Sequence, residues 1–428
     1  MKVFIGLFEI AGYFSYLKKG FKELGVECCF IPLMPHQFEY EEPGDVNSLV
    51  KVVRSIQLIK NKKRNIYQKI FFEIVEFFFR IPLFLHMLIK YDAFIFSRGE
   101  SFLFLLDLPV LKIFNKKVIF IFTGSDSRPP YINGYFISEK KFESLEKCYL
   151  YTAIQKIRVR IIEFFSDIII NHPPQAHFNK KRFIQWLAIG IPNEQVFLPI
   201  STSGKGSDPD TIRILHSPST PWTKGSDTIR QIVTGLSKKY PIDYREVSGK
   251  PHPVILSEIQ KCDFIIDELY SDTTMAGLAT EGAWASKPSV TGGYYDDIIK
   301  DVPHEYIPPS VYCHPSTIHL EIEKMIRDKQ YREECGKKAH EFVQKNWKAK
   351  YVAQKIIQVI EGKIPNNWLY DPNMLKYIYG TGISKSRLKL VLTEYVKKYG
   401  IRALRLSDKP DLEKNFITFL QDGDHDGQ

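Results

Sequence analysis

Apolar and polar residues alternate along this chain in blocks that read as strand, helix, strand. Lys2 to Phe8 is an apolar run of strand length, of the kind buried on both faces of a parallel sheet. Tyr13 to Leu24 has helical spacing and is closed by Gly25, and Val26 to Ile31 is a second strand, so the chain opens as a βαβ unit. Tyr91 to Phe96, Lys117 to Phe122 and Asp167 to Asn171 are further apolar strands. They end in Ser97-Arg98-Gly99-Glu100, Thr123 to Arg128 and His172-Pro173-Pro174. Residues 201–210, rich in Ser and Gly with two acids, read as a hinge. The pattern then restarts. Ile212 to His216 is a strand, and Thr228 to Leu236 is a helix that Ser226 or Asp227 would cap. Tyr244 to Val247 is a strand followed by a loop from Ser248 to Pro253. His304 to Pro309 and Tyr312 to Pro315 close the second sheet, and Ile318 to Val359 reads as two helices. Residues 364–428 form an extension, helical around Ser384 to Tyr399, with an acidic tail after Leu420. No internal repeat or low-complexity block is present. A chain of 428 residues exceeds one core, so two domains are expected.

The stretch from Cys262 to Tyr295 carries the chemistry. Cys262 to Leu269 reads as the end of a strand, and Ser271, Asp272, Thr273 and Thr274 offer side chains to cap a helix over Met275 to Ala285. Lys287-Pro288 stops that helix, and Ser289-Val290 starts a strand that Gly292-Gly293 ends. Strand, helix N-terminus and strand is the arrangement that binds anions in open α/β sheets, through unpaired amides and the helix dipole. Glu281 is placed two turns into the helix, within reach of a ribose.

This segment resembles the nucleotide-sugar site of GT-B glycosyltransferases, in particular a retaining branch that builds bacterial surface polysaccharides. That branch carries E-x7-E followed by A-x-A-x-G-x-P-V. Glu281 to Val290 match the second Glu and the run after it, while the first Glu falls on Thr273. Lys224-Gly225 is similar to the K-G turn that holds the donor diphosphate, with Ser219 where many relatives have Arg. Gly124, Asp126 and Arg128 resemble the H-G-x-D-x-R turn, with Thr123 in place of His. The loop Glu9 to Tyr13 matches the place of a Gly-rich loop but holds only Gly12, and the loop around His252 matches the edge that holds the nucleobase. Residues 190–200 resemble the family's exit from its first domain.

The resemblance implies a GT-B α/β fold, two Rossmann-like domains facing across a cleft, with a helical C-terminal extension. Residues 1–200 would form the acceptor side, 211–362 the nucleotide-sugar side and 363–428 the extension. It implies transfer of a sugar from a nucleoside diphosphate sugar to a glycan or lipid-linked hydroxyl acceptor, with retention, in cell-surface polysaccharide or glycolipid synthesis. Lys224, Asp126 and Arg128 would be catalytic. Glu281, Lys224, Thr273, Thr274, Ser219, His252 and Gly12 would bind the donor, with no metal and no further cofactor. Two other readings share the fold: a sugar-nucleotide epimerase, and a catalytically weak binding protein suggested by Thr123, Ser219 and Thr273.

Composition adds an anionic partner, since the net charge is +10. Lys51 to Lys90 places basic residues beside Phe71, Phe72 and Phe77 to Phe79. That suits an anionic membrane surface reached through residues 51–80, or a long helix with a solvated basic end and a buried aromatic end. The aromatics fall in one apolar block, not along a basic groove, which argues against nucleic acid. Six cysteines without C-x-x-C spacing fit a reducing cytosol. Glu9 interrupts the first apolar run, which reads as a strand and not as a signal peptide, and no run is long enough to cross a bilayer. A cytoplasmic protein, peripheral on the inner membrane face, is the expectation.

Overall fold

The computed structural model describes residues 1–34, 45–63, 65–138, 144–195, 197, 210–300 and 302–422. The first part runs β1 (Lys2–Leu7), α1 (Tyr13–Glu23), β2 (Glu27–Pro32), α2 (Ser48–Lys62), α3 (Ile66–Lys90), β3 (Ala93–Ser97) and α4 (Leu108–Ile113). It continues β4 (Lys117–Ile121), α5 (Gly134–Ile137), α6 (Leu145–Phe165), β5 (Ile168–Asn171), β6 (Phe183–Gln185) and α7 (Trp186–Ile189). From residue 210 come β7 (Ile212–His216), α8 (Pro221–Lys224), α9 (Ser226–Leu236), β8 (Ile242–Glu246), α10 (His252–Lys261), β9 (Phe264–Ile266), α11 (Gly277–Trp284) and β10 (Ser289–Gly292). The rest is α12 (Asp296–Ile299), β11 (Val311–Cys313), α13 (Ile318–Arg327), α14 (Lys329–Asn346), α15 (Ala349–Ile360), β12 (Leu369–Tyr370), α16 (Lys385–Tyr399) and α17 (Pro410–Gln421). The hinge read over 201–210 lies outside the described residues except for Asp210, as does the tail from 423 on.

Two sheets result, in the strand orders β12-β6-β5-β4-β3-β1-β2 and β11-β10-β9-β7-β8. All pairings are parallel except β12 with β6. The period of two in the strands explains why the first sheet is apolar throughout. Phe4, Phe94, Phe96 and Phe120 face one layer, and Val3, Ile5, Ile95 and Ile119 face the other. The first layer holds α3, α4 and α6; the second holds α1 and α15. Helix α15 thus returns from the second half of the chain to pack on α1, where Gly20 allows the approach. A Cβ there would lie 2.1 Å from the Ala349 carbonyl oxygen. Two wound α/β sheets facing across a cleft, with a final helix crossing back, are the GT-B architecture.

Several elements differ from the sequence reading. The region 51–90 is two helices, because Asn65 turns its side chain onto the Tyr67 amide and starts α3 anew. Only the second half of α3 enters the core, through Leu83, Phe84, Met87 and Leu88, whereas Phe71, Phe78 and Phe79 are exposed, so the aromatic end is not buried. Ile318 to Ile360 is three helices, with Asp328 capping α14. The segment after Gly362 is helical as expected, in α16 and α17, and is also built into the first sheet. It adds the edge strand β12, and Leu388, Leu392, Tyr395 and Phe416 share a core with the Phe face of the first sheet.

Candidate functional site

A cavity of about 300 Å³ opens where the carboxyl ends of both sheets meet, within the range of small-ligand sites. Ile10 and Ala11, after β1, form one wall. The other is built from Ser217 to Ser219 after β7, Lys224, Lys250 and His252, Asp267 after β9, and the first turns of α11 with Glu281. Lys224, Ser219, His252 and Glu281 are therefore brought together, as carboxyl strand ends in an open sheet require.

Lys224 ends the short helix α8, which Pro221 begins and Gly225 closes at φ 72°. A side chain at Gly225 would also strike Leu269, with Cβ atoms 2.5 Å apart. The Lys224 ammonium lies 2.8 Å from Glu268 Oε2, and both side chains are largely buried. Burial works against its charge, but Glu268 and Asp267 outweigh that and hold its pKa above the lysine range. Asp267 itself is buried, and its Oδ2 has no hydrogen-bond partner among the described residues. Burial raises its carboxyl to about 6, against the pull of Lys224, with Glu268 and Glu281 adding to the rise. Nothing in the sequence reading singled out Asp267. The available signal was an acid directly after the apolar triplet of β9.

Glu281 is buried one turn into α11, whose first helical residue is Gly277. Its Oε1 accepts from His252 Nε2 at 2.7 Å and from Asn193 Nδ2 at 3.1 Å. Gln195 Nε2 donates to Asn193 Oδ1 and to the Tyr16 hydroxyl, so the network runs from α1 across to α10 and α11. The neighbouring Lys expected of a solvated helix acid is not its partner; a histidine and an asparagine are. His252 is not in a loop either. It is the first residue of α10, where flanking prolines are tolerated because the first helical amides need no partner.

The polar run before α11 does not cap it. Ser271 Oγ turns back to Glu268 Oε1 at 2.8 Å and to the Thr273 carbonyl at 2.7 Å, which folds the run into its own turn. The N-cap falls on Ala276 with no side-chain bond. Thr273 and Thr274 are buried outside the cavity, their hydroxyls without a partner among the described residues, and Ala276 to Leu278 line it instead. Likewise α9 is not capped by Ser226 or Asp227. His216 Nδ1 lies 2.8 Å from the Ile266 carbonyl and must donate to it, so Nε2 accepts the Ser226 hydroxyl proton at 2.8 Å.

Gly12 caps α1 at φ 80°, which a left-handed turn there favours. The anion position above that helix is already filled. The Glu9 carboxylate accepts from the amides of Ile10, Phe14 and Ser15 and from the Ser15 hydroxyl. Burial raises its pKa, and those bonds hold it down in part. Asp126 and Arg128 do not meet each other or line the cavity. Asp126 accepts from the amides of Thr123 (3.0 Å) and Gly124 (2.8 Å) in its own turn. Arg128 forms a buried ion pair with Asp272 across the two sheets, and His172 Nε2 bonds the Asp272 carbonyl at 2.8 Å. Asp272 and Glu268, the acids nearest the motif in sequence, are thus both spent on ion pairs.

No protein-family model matches the sequence. No curated protein matches it either. Among solved structures, the fold is similar to S. aureus MnaA with UDP, at 11% identity over 85% of this chain and 97% of that one, TM-score 0.44. It is also similar to sucrose-phosphate synthase from Thermosynechococcus elongatus (11% identity, 85% and 99% covered, TM-score 0.47). A third is the spinosyn rhamnosyltransferase SpnG with thymidine diphosphate (8% identity, 83% and 100% covered, TM-score 0.40).

Proposed function

We propose that this chain is a glycosyltransferase that moves a sugar from a nucleoside diphosphate sugar to a hydroxyl of a glycan or lipid-linked acceptor, with retention and without a metal. Residues 1–200 form the acceptor side and 211–362 the donor side. The observation that carries the reading is the cavity in which Lys224, the amides at the start of α11 and the braced Glu281 converge. As the sugar–phosphate bond breaks, positive charge develops at the sugar and negative charge on the leaving diphosphate. Lys224 and the Gly277 and Leu278 amides meet that negative charge. Glu281, fixed by His252 and Asn193, accepts from the ribose hydroxyls through Oε2, which no described group bonds. Asp267 borders the same space and is the acid placed to accept from a sugar hydroxyl.

A second reading is a GT-B-like binding protein of weak activity, favoured by Lys224 being paired with Glu268 and Arg128 with Asp272. Thermal shift across UDP, GDP and TDP and their sugars finds the donor, because a ligand of the native state raises stability by mass action. Donor hydrolysis by the purified protein then separates the two readings. If no nucleoside diphosphate binds, both fail.

A further inference from the structure

The first half of α3 has an inverted arrangement, with buried charge toward α2 and apolar side chains toward solvent. The core end of the pair is apolar, with Val50 and Val53 beside Leu83, Phe84 and Met87, but farther out the groups that meet are polar. Glu76, fully buried, accepts from Gln57 Nε2 at 2.7 Å and from Lys60 Nζ at 2.6 Å, and pairs with Arg80. The outer side of α3 is apolar instead. Tyr67, Phe71, Ile74 and Phe78 recur at helical spacing and are 78%, 59%, 52% and 61% exposed. A helix that faces water has the opposite arrangement.

A second apolar stripe runs along α6, where Leu150, Ile154, Ile157, Ile161 and Phe164 are exposed while Cys148, Val159 and Ile162 enter the core. Both helices cover the same face of the first sheet. Between them lie the exposed Phe104, Leu106, Ile113 and Phe114, with Phe104 stacked on Phe77. Apolar surface on this scale marks an interaction site. The two helices also carry the exposed Lys51, Lys62, Lys69 and Lys90 against one exposed acid, Glu73, in a segment 48–90 that has nine Lys and Arg and two Glu in sequence.

We propose that this face docks on an anionic membrane surface, with the α3 and α6 stripes in the boundary between headgroups and acyl chains and the lysines of α2 and α3 on acidic headgroups. Charge selects the occupant. In a symmetric pair of this chain the same patch meets itself, and these lysines would be set against each other. An acidic lipid surface satisfies both the lysines and the stripes. None of the cavity-lining residues belongs to the face, so docking leaves the cleft open. The proposal goes beyond the donor reading and stands without it.

The test is flotation of the full chain with phosphatidylcholine vesicles, with and without phosphatidylglycerol, in the absence of nucleotide. Binding to the anionic vesicles is expected, weakening with salt. Lys62→Gln and Lys69→Gln should each cost about fivefold. Phe71→Ser and Phe78→Ser should each cost roughly tenfold, and Phe164→Ser on α6 a comparable factor. These side chains are exposed, so the variants keep the fold and a circular dichroism spectrum checks it. Equal binding to both vesicle types, or none, overturns the proposal. So does a dimer in solution that Phe71→Ser with Phe78→Ser dissolves, which would make a second copy the occupant. Nucleoside diphosphate titration of the same protein is read separately, so that either failure is assigned to its own claim.

Discussion

Lys224 is the residue on which the donor reading is most exposed to test, because its charge already has a partner. Its ammonium lies 2.8 Å from Glu268 Oε2, so an arriving diphosphate competes with that carboxylate for the same cation. Glu268→Gln removes the competitor while keeping an oxygen that can accept from Ser271, whose hydroxyl bonds Oε1 at 2.8 Å. A charge-assisted contact is worth about 1.5–3 kcal/mol, which is about 10- to 150-fold in affinity. The lower end is the appropriate estimate, since the lysine side chain retains 17% of its exposure. Glu268→Gln should therefore tighten nucleoside diphosphate binding by about tenfold. Lys224→Met should weaken it by a similar factor and lower turnover further, because the leaving charge grows toward the transition state. Lys224→Met also strands Glu268 as a buried charge, at a cost of about 1–3 kcal/mol of stability. In the double variant that stability should return while binding stays weak. Calorimetric titration of nucleoside diphosphate into the four proteins, with melting curves, closes the cycle. Equal affinity in all four folded proteins would refute the diphosphate role and leave an ordinary ion pair.

Asp126→Ala should lower stability by about 1–2 kcal/mol through its lost turn bonds and leave the specific activity of folded protein unchanged; a loss of turnover without a change in melting would return Asp126 to the chemistry. Arg128→Met should cost about 3–5 kcal/mol by leaving Asp272 charged and buried between the sheets, and Asp272→Leu in the same chain should recover most of it in denaturant melts. Burial lowers the pKa of His172 and His216 to about 4 and that of His177 to about 3. These groups are neutral in the fold, so the unfolded chain takes up more protons as the pH drops below about 6.5, and stability should fall from there toward pH 4. Asp267, raised to about 6, acts in the other direction over about pH 4 to 6, so Asp267→Asn should make the acid loss steeper while raising stability at neutral pH. A melting temperature that stays level from pH 7 to 5 would contradict the buried neutral histidines.

Most strands were legible because parallel strands buried on both faces read as short apolar runs, and Ile212 to His216 has the same limits in sequence and structure. His304 to Pro309, however, opens with a 3-10 turn and leaves β11 alone to close the second sheet, and the three-residue β6 and two-residue β12 are too short to read. Lys224 and Glu281 were legible as motif positions; their partners were not. Asn193 is 88 residues from Glu281, and no local pattern announces such a bond. His252 has the sequence surroundings of an exposed loop residue, beside two prolines, but prolines are also what a helix start accepts. The cap residues expected before α9 and α11 fail for one reason. Ser226 and Ser271 each have a partner in the fold that competes better than a helix amide, His216 in one case and Glu268 in the other.

Charge shows the largest gap between composition and structure. The net +10 reads as attraction for an anionic ligand, and the cleft is the obvious place for it. Yet Lys224 in the cavity is already balanced by Glu268, and Arg128 between the sheets by Asp272, while Asp267 and Glu281 add negative charge and Lys250 adds one further cation at the wall. The excess lies elsewhere. Nine basic and two acidic residues over 48–90 give +7 of the +10, next to the exposed rings of α3. Formal charge counted over a whole chain says only that an anion is attracted. Which surface attracts it depends on which cations remain unpaired once the fold has brought distant acids to them. On the proposed donor reading, oriented amides and a few charge-assisted contacts would hold the ligand in the cavity, while most of the net positive charge of the sequence falls in the segment 48–90.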